Sequence, residues 1–523
     1  MASSTNEDLT ERDGLLRYNL DVGGGRMLRI ISDPCHKRHS YCCGTSLWTA
    51  CIEFISVIAG LTDSWVSGLR VLELGAGLGA LGQALALHGA VVALTDSAVM
   101  LPLLQDNVAA NFGASNTACG SGPPPEVHEL AWGSSLAGHA LDPRRRTFDL
   151  LVASDVCYNE DCFDVLLATV LEYLAANHRM QVVMAIPDRE ESRAFLARAV
   201  AAGLAFRFVR RFPARPDLPT AVSICQLCRW AGPDPGGGNA PVPGPQRILF
   251  ACDFDWSLVE ENSDTFVLRE VGAWPAFERL QAQGLPWTAL MDAGLAAAAA
   301  EASAKPADVL AACRRVPFHA AMQKAVRRVA AAPGCELVIL SDANSVFIAE
   351  VLAAAGLAHC FSQVHTNQGI WEEGVLRVRP HQPSDTPHGC PNCAANLCKG
   401  QVLERLLLAA SGAPWTCVVY LGDGANDACP AARLGGRDVV LARAHYPDGR
   451  PCALPRRLAA GGGRAPASVD AALAAGFRPG GMGAGGGPAG LPTWPDSAPL
   501  AQVVTWDAPS AAAAALLRLA GLA

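Results

Sequence analysis

Arg247-Ile248-Leu249-Phe250-Ala251-Cys252-Asp253-Phe254-Asp255 is an apolar run that ends in two carboxylates flanking one phenylalanine. A short apolar run of this kind reads as a buried strand. Successive strand side chains alternate in direction, so Asp253 and Asp255 share a side and both would reach one phosphate and one metal ion beyond the strand's carboxyl end. That places a nucleophile beside an acid. By itself an Asp-x-Asp pair also fits a solvated turn, and the rest of the chain decides between the two.

Three later segments supply what phosphate chemistry needs. Leu337 to Asn344 (LVILSDAN) is a buried strand ending in a hydroxyl, Ser341, where a phosphate oxygen could be held. Lys399 opens the apolar-periodic helix of Gln401 to Ala410, so its ammonium could neutralise a phosphoryl group. Val418 to Asp427 (VVYLGDGAND) is a strand running into a Gly-rich turn with two carboxylates, hard oxygen donors suited to magnesium. Nucleophile, hydroxyl, lysine and metal carboxylates in that order resemble the four motifs of the haloacid dehalogenase superfamily of phosphatases.

Asp253 to Asp264 (DFDWSLVEENSD), Ser341 to Asn344, His388 to Lys399 (HGCPNCAANLCK) and Gly422 to Pro430 (GDGANDACP) resemble, more narrowly, the phosphoethanolamine/phosphocholine phosphatase branch. That branch also holds enzymes assigned to pyridoxal phosphate and, in plants, to pyrophosphate or thiamine phosphate. The likeness covers Arg247 to Tyr446 and resumes at Gln502 to Leu519. It implies that Asp253 attacks phosphorus, while Asp255 protonates the leaving alcohol and then activates water. It further implies phosphate contacts from Ser341 and Lys399, and Mg2+ held by Asp253, the backbone carbonyl of Asp255 and Asp423, with Asp427 orienting the metal's surroundings. Asp264 and Asp342 stand where related enzymes place acids near a cationic head group; from the residues alone they read equally as a loop carboxylate and a helix cap. Trp256 departs from the branch, which carries a smaller or polar residue there.

A second site precedes this one. Arg70 to Gly79 (RVLELGAGLG) is a strand entering a Gly-rich turn, followed by a helical pattern over Ala80 to His88 and the strand Val91 to Asp96. Glycines let backbone approach a nucleoside, and an acid ending the second strand can accept from a ribose diol. The spacing fits a nicotinamide-cofactor fingerprint poorly. With Gly44 to Trp48, Asp106-Asn107, Leu130 to Gly133 and Phe148 to Tyr158, the stretch from Tyr18 to Trp230 resembles the methyltransferase-like proteins that modify protein lysines. The resemblance implies S-adenosyl-L-methionine walled by Trp48 and Trp132, faced by Gly75, Ala76 and Gly77, held at the ribose by Asp96 and bordered at the methyl donor by Ser154 and Asp155.

The expected architecture is α/β: two doubly wound domains, an N-terminal seven-stranded methyltransferase-like Rossmann fold and a C-terminal haloacid dehalogenase-like fold with a small helical cap. Residues 1–230 and 247–523 would form the two domains, joined by the Pro/Gly linker 231–246 (AGPDPGGGNAPVPGP over Ala231 to Pro245). The cap would lie at about 270–326 and exclude water from the site, with Trp274, Phe277 and Trp287 in it. The Gly- and Ala-rich tract 459–492 reads as a flexible surface insertion.

The net charge of −8, with acids and bases interspersed, argues against a nucleic-acid or anionic-membrane face. No run approaches the ~20 strongly apolar residues of a membrane span. The polar start, Met1 to Arg17, lacks a signal-peptide pattern, and 19 scattered cysteines suit a reducing compartment, which together point to the cytoplasm. His388, Cys390, Cys393 and Cys398 fall in one short loop at spacings compatible with tetrahedral zinc; the competing reading is a rigid loop that positions Lys399. Two function classes follow. One is a bifunctional enzyme acting on a small phosphorylated substrate and on a protein to be methylated; the other is a pyridoxal phosphate, thiamine phosphate or pyrophosphate hydrolase fused to a non-catalytic S-adenosylmethionine- or protein-binding module.

Overall fold

The computed structural model describes residues 10–12, 14–36, 43–61, 65–113, 122–177, 179–229, 247–383, 388–390, 393–408, 415–435, 438–460, 467–474 and 501–522. The proposed linker 231–246 lies outside them, as does most of the tract 459–492. The chain forms two compact units, the first built chiefly on Met1–Ala231 and the second chiefly on the residues that follow.

The first unit begins with an antiparallel three-stranded sheet of β1 (Thr10–Arg12), β2 (Leu15–Asp21) and β3 (Met27–Ser32). The free edge of β3 is met by two amides one helical turn apart: Asn107 exchanges hydrogen bonds with the backbone of Ile31 (2.6 and 3.0 Å), and Asn111 with that of Arg29 (2.8 and 2.7 Å). Side chains thereby satisfy edge groups that a further strand would otherwise take. The main sheet contains β4 (Arg70–Leu74), β5 (Val91–Asp96), β6 (Glu126–Glu129), β7 (Leu150–Ser154), β8 (Gln181–Pro187), β9 (Leu204–Phe212) and β10 (Val222–Arg229) in the order β6-β5-β4-β7-β8-β10-β9. Every pairing is parallel except the two made by β10. Order reverses at β4, and in doubly wound sheets the crevice at such a reversal takes ligands. The seven-stranded expectation therefore holds.

The second unit is an eight-stranded sheet of β11 (Ile248–Cys252), β12 (Cys335–Asn344), β13 (Gln363–Glu372), β14 (Val375–Arg379), β15 (Cys417–Gly422), β16 (Val439–Arg443), β17 (Ala467–Ser468) and β18 (Gln502–Trp506), ordered β14-β13-β12-β11-β15-β16-β18-β17. Only β14 runs antiparallel to its neighbour. All residues of β11, β15 and β16 are buried, which is why these strands read as unbroken apolar runs: helices cover both faces of a parallel sheet. The central trio β12-β11-β15 aligns Cys252 with Ile339 and Leu421, so three carboxyl ends open at one level. Past Leu340 the β12–β13 ladder is interrupted until Asn344, which leaves Ser341 to Ala343 outside that ladder.

Four helices, Ser263–Glu270, Trp274–Gln281, Trp287–Ala300 and Pro306–Cys313, lie between β11 and the helix Ala320–Ala330. That last helix buries Met322, Ala325, Val326 and Val329, packing against Pro509–Leu519 and β12. The cap expected at 270–326 is thus shifted toward the amino end: it includes Ser263–Glu270 and stops before Ala320, whose helix carries an apolar face for the sheet. Trp274, Phe277 and Trp287 form one aromatic cluster, with ring centroids 5.3 Å and 6.2 Å apart in successive pairs. Of the tract 459–492, the described residues are 459–460 and 467–474. Ala467–Ser468 adds a strand beside β18, and Val469 and Ala472 enter the hydrophobic core, because alanine-rich sequence packs where its small side chains meet a helix. Among the described residues no helix is long and apolar enough to cross a membrane.

Candidate active sites

In the second unit, Asp253 follows β11, and its backbone N–H extends the ladder to the Leu421 carbonyl at 2.8 Å. Lys399, the first residue of the helix Lys399–Leu408, is fully buried and bridges two carboxylates, with Nζ 2.8 Å from Asp253 Oδ1 and 2.8 Å from Asp427 Oδ1. Burial works against the ammonium, but the charges of Asp253 and Asp427 outweigh it and hold the lysine above its usual range. Asp423 closes the group, with Tyr446 donating to its Oδ2 at 2.7 Å and Ser257 lying between it (3.4 Å) and Asp253 (3.5 Å).

One carboxylate oxygen from each of Asp253, Asp423 and Asp427 lies within 4.8 Å of the others. With Lys399 as the ammonium among them, three buried carboxylates leave two negative charges uncompensated, which fits a divalent cation. The three acids are not equivalent. Asp427 Oδ1 accepts from Lys399 and from Tyr420 (2.7 Å), and Oδ2 from the N–H groups of Asp423 (3.0 Å) and Gly424 (2.8 Å). Four donors already occupy it, so it braces the turn, whereas Asp253 and Asp423 keep free lone pairs. Gly422 is fixed by the same brace, since a Cβ there would stand 2.7 Å from Asp427.

Asp255 points to the same end of the sheet, its Oδ1 held by the Ser263 N–H (2.9 Å) and its Oδ2 by Asn262 (3.2 Å). Burial pushes its carboxyl up to about 7, where it can both give and take a proton near neutrality. Ser341 is buried, its Oγ 3.2 Å from the Ala343 N–H. Asp264 is buried with Oδ2 on the Trp287 indole N–H at 2.9 Å, and Asp342 Oδ2 accepts from Asn426 at 2.6 Å. The other oxygen of each, Oδ1, is buried with no hydrogen-bond partner. All the residues expected from the sequence thus gather around the carboxyl ends of β11, β12 and β15.

Trp256 adopts φ +58°, a conformation bulky residues rarely take, and its carbonyl accepts from Arg443 at 2.6 Å. The Arg443 guanidinium lies 5.6 Å from its ring and Tyr446 packs edge-on at 5.4 Å. The ring already serves an internal cation. The cysteine loop differs from its sequence reading too: Cys390, Cys393 and Cys398 are joined by Cys429, not by His388. Both ring nitrogens of His388 are engaged within the loop, by the Ala394 carbonyl (2.8 Å) and the Cys390 N–H (3.0 Å). Cys429 was missed because it lies beyond the loop, two residues after Asp427; a fourth thiol beside a metal-carboxylate turn was the available signal.

In the first unit, a cavity of about 390 Å³ opens at the carboxyl ends of β4, β5 and β7. Trp48, Gly75, Ala76, Gly77, Asp96, Trp132 and Ser154 all line it. Gly75 (φ +62°) and Gly77 (φ +52°) require glycine: a Cβ on Gly75 would stand 2.8 Å from Val156 and 3.1 Å from Trp132, and one on Gly77 3.1 Å from the Gly44 carbonyl. Asp96 Oδ2 accepts from the Gly77 N–H (2.8 Å), while Oδ1 accepts from both the N–H (2.7 Å) and the hydroxyl (3.1 Å) of Ser97, so Oδ2 is the oxygen with a lone pair left for a diol. Ser154 Oγ is buried without a partner. The cradle, the acid and the orphan hydroxyl fit an adenosine-bearing cofactor. Trp48 is 49 % exposed, so it is a wall of the cavity and not core. Sequence reasoning overlooked Tyr158, also 49 % exposed, and Arg189, which ion-pairs with Asp155 at the rim. Arg189 sits just past β8, the next strand end along, which is the position that could have flagged it.

Residues 248–452 match the family model described as "Putative Phosphatase", and residues 35–200 match that described as "Lysine methyltransferase". A thiamine phosphate phosphatase-like protein of Arabidopsis thaliana is 35% identical over 205 residues, 38% of this chain and 82% of that protein. Inorganic pyrophosphatase 2 of the same plant is 34% identical over 38% of this chain and 72% of that protein. Human phosphoethanolamine/phosphocholine phosphatase is 33% identical over 40% of this chain and 79% of that protein.

Proposed function

Since the chain belongs, through its C-terminal half, to this family of haloacid dehalogenase-type phosphatases and carries a lysine methyltransferase domain in its N-terminal half, we propose that it is a bifunctional enzyme. The C-terminal half is a magnesium-dependent phosphatase for small phosphomonoesters of the phosphoethanolamine/phosphocholine type, working through an aspartyl-phosphate on Asp253. The N-terminal half transfers a methyl group from S-adenosyl-L-methionine to a protein lysine. The carrying observation is the buried Asp253–Lys399–Asp427 bridge beside Asp423, with the half-buried Asp255 at the same strand end.

Asp253, the backbone carbonyl of Asp255 and Asp423 would hold Mg2+, whose charge offsets that of the phosphoryl oxygens. Asp253 Oδ2, the oxygen not bonded to Lys399, attacks phosphorus. Burial raises the Asp253 carboxyl well above its usual range and the Lys399 ammonium works against that rise, as a bound divalent cation would; Lys399, with Ser341, takes phosphoryl oxygens. Asp255, which burial pushes up to about 7, carries the proton for the leaving alcohol. Oδ2 is its freer oxygen, 3.2 Å from its donor against 2.9 Å for Oδ1. Having lost that proton, Asp255 takes one from the water that cleaves the phosphoenzyme. The buried, unpartnered Oδ1 atoms of Asp264 and Asp342 support a cationic leaving group, whose positive charge would offset that of the carboxylates.

In the other half, S-adenosyl-L-methionine would supply the electrophilic methyl group. Asp96 accepts from the ribose, the Gly75–Gly77 turn lets the methionine part approach the backbone, and Trp48 and Trp132 flank the cofactor. A second reading of the phosphatase, toward thiamine phosphate or pyrophosphate, is favoured by the two plant relatives. A screen of the full-length protein with Mg2+ against phosphoethanolamine, phosphocholine, pyridoxal phosphate, thiamine phosphate and pyrophosphate separates the two. A kcat/KM highest for the amine-bearing esters supports the first reading; one highest for pyrophosphate removes it.

A further inference from the structure

Cys390, Cys393, Cys398 and Cys429 bring four sulfur atoms within 4.8 Å of one another. We propose that they bind a structural zinc ion that locks the segment bearing Lys399 to the turn bearing Asp423 and Asp427. Zinc thiolate bonds of about 2.3 Å set tetrahedral corners about 3.8 Å apart. Cys429 Sγ stands 3.7 Å from Cys390 Sγ and 3.8 Å from Cys398 Sγ, far beyond the ~2.05 Å of a disulfide. Two of the sulfur pairs thus stand at that corner-to-corner spacing, and all four lie within 4.8 Å of one another.

The surroundings are those of thiolates. The Gln401 N–H points at Cys398 Sγ (3.4 Å), and the Arg433 guanidinium donates to Cys429 Sγ (3.1 Å) while pairing with Glu404 (3.3 Å). Four thiolates around one divalent ion carry a surplus negative charge, which an amide N–H and a guanidinium offset. Gly400 leaves the space they need, because a Cβ there would stand 2.4 Å from Arg433 and 2.7 Å from Cys429 Sγ. Soft sulfur donors select zinc over magnesium, and four protein ligands leave no open position, so the ion's role is structural. The oxygen site of Asp253 and Asp423 is a separate set of ligands.

The ion would act through position. Cys398 is the residue before Lys399, and Cys429 lies two residues after Asp427. Three ligands from the first segment and one from the second make the metal a clasp between the two partners of the 2.8 Å Lys399–Asp427 bond. A positioning clasp of this kind is part of the folded unit and is not chemically consumed.

The test is metal content of the full-length protein, purified without added metal and measured by plasma mass spectrometry. About one zinc per chain is expected, as for other closed four-thiolate sites. Cys393→Ser and Cys429→Ser should lose it. Cys429→His, an accepted fourth ligand, should keep it, and so should Asp253→Asn and Cys228→Ser, which alter the oxygen site and a thiol of the first unit. Replacement by cobalt(II) should give the strong visible bands of a tetrahedral thiolate site. Stripping zinc should lower phosphatase kcat by roughly tenfold or more, as displacing positioning groups does, with recovery on adding zinc but not extra magnesium. Wild-type protein that is zinc-free, stays so when zinc is supplied, and shows all four thiols freely titratable would overturn the proposal. Retention of full zinc by both serine variants, or iron in its place, would do the same. None of these metal measurements depends on which phosphate the enzyme cleaves.

Discussion

Two Gly-rich turns, each leaving the carboxyl end of a central parallel strand, make different kinds of site. Gly75-Ala76-Gly77 after β4 uses its glycines for space: a Cβ on Gly75 or Gly77 would come within about 3 Å of Val156, Trp132 or Gly44, so neither admits a side chain, and the product is a cavity lined mostly by apolar atoms. Gly422-Asp423-Gly424 after β15 uses its glycines to fold the turn back on one carboxylate, Asp427, which collects two backbone N–H groups, a tyrosine hydroxyl and an ammonium. The first binds by shape and the second by charge. Substitutions should accordingly fail in different ways: gradually in the cavity, and steeply in the charge cluster, where a lost partner leaves another ion buried.

The steepest loss should come from Asp253→Asn. The amide cannot form the phosphoenzyme and leaves Lys399 with one counter-charge, so turnover should fall by roughly 10³-fold or more, while S-adenosylmethionine binding measured by calorimetry stays at the wild-type Kd. Substantial hydrolysis by the pure variant would remove Asp253 as nucleophile. Asp255→Asn should be next, and its size should depend on the leaving group. An alkyl phosphate needs a proton and should slow by roughly 10²- to 10⁴-fold; p-nitrophenyl phosphate needs none for its departure and should slow less in single-turnover phosphorylation. Because burial raises Asp255 to about 7, the acid form prevails below that pH and is lost above it. Single-turnover phosphorylation by an alkyl ester should therefore decline as pH rises through about 7, with no such limb for p-nitrophenyl phosphate. An identical limb for both esters would assign it elsewhere.

The cavity should respond more gently. Asp96→Ala removes the acceptor for a ribose diol and also frees the Gly77 N–H, so S-adenosylmethionine Kd should rise about 10- to 100-fold, the value of one or two charged hydrogen bonds. Phosphatase kcat should not change. A Kd unaltered by the substitution would place the ribose away from Asp96.

These two sites were legible in the sequence to different degrees, for a physical reason. Residues that must sit at the end of a strand are readable, because the strand announces itself by its apolar run: Asp253, Ser341, Asp423 and the Gly75–Gly77 turn all follow one. Lys399 was readable from its place at the start of a helix. What remained hidden depends on contacts between segments distant in sequence. Cys429 joins a loop some thirty residues upstream, and the Trp256 ring faces Arg443, so neither the fourth thiol nor the occupied aromatic face follows from local spacing. The cap boundary slipped because alanine-rich helices look alike in sequence, and only the burial of Met322, Val326 and Val329 assigns Ala320–Ala330 to the sheet.

The smallest expected effect is also the one that reaches the substrate. Asp264 is buried, and burial, reinforced by the nearby Asp255, raises its carboxyl well above the usual range when no cation is present. An ammonium beside its unpartnered Oδ1 would reverse that balance, drawing the proton off and forming a charge-assisted contact. Asp264→Asn keeps the shape and a group facing the Trp287 indole but removes the charge. For phosphoethanolamine or phosphocholine, kcat/KM should fall about tenfold, equivalent to ~1.4 kcal/mol of transition-state binding. For pyrophosphate, which brings negative charge to the same place, the substitution should leave kcat/KM unchanged or raise it. The ratio of the two effects is the informative quantity, because a general loss of folding or metal affinity lowers both together. If pyrophosphate is the better substrate and improves further in Asp264→Asn, the charge cluster recognises the phosphate alone, and the two orphan oxygens serve the cap instead of the leaving group.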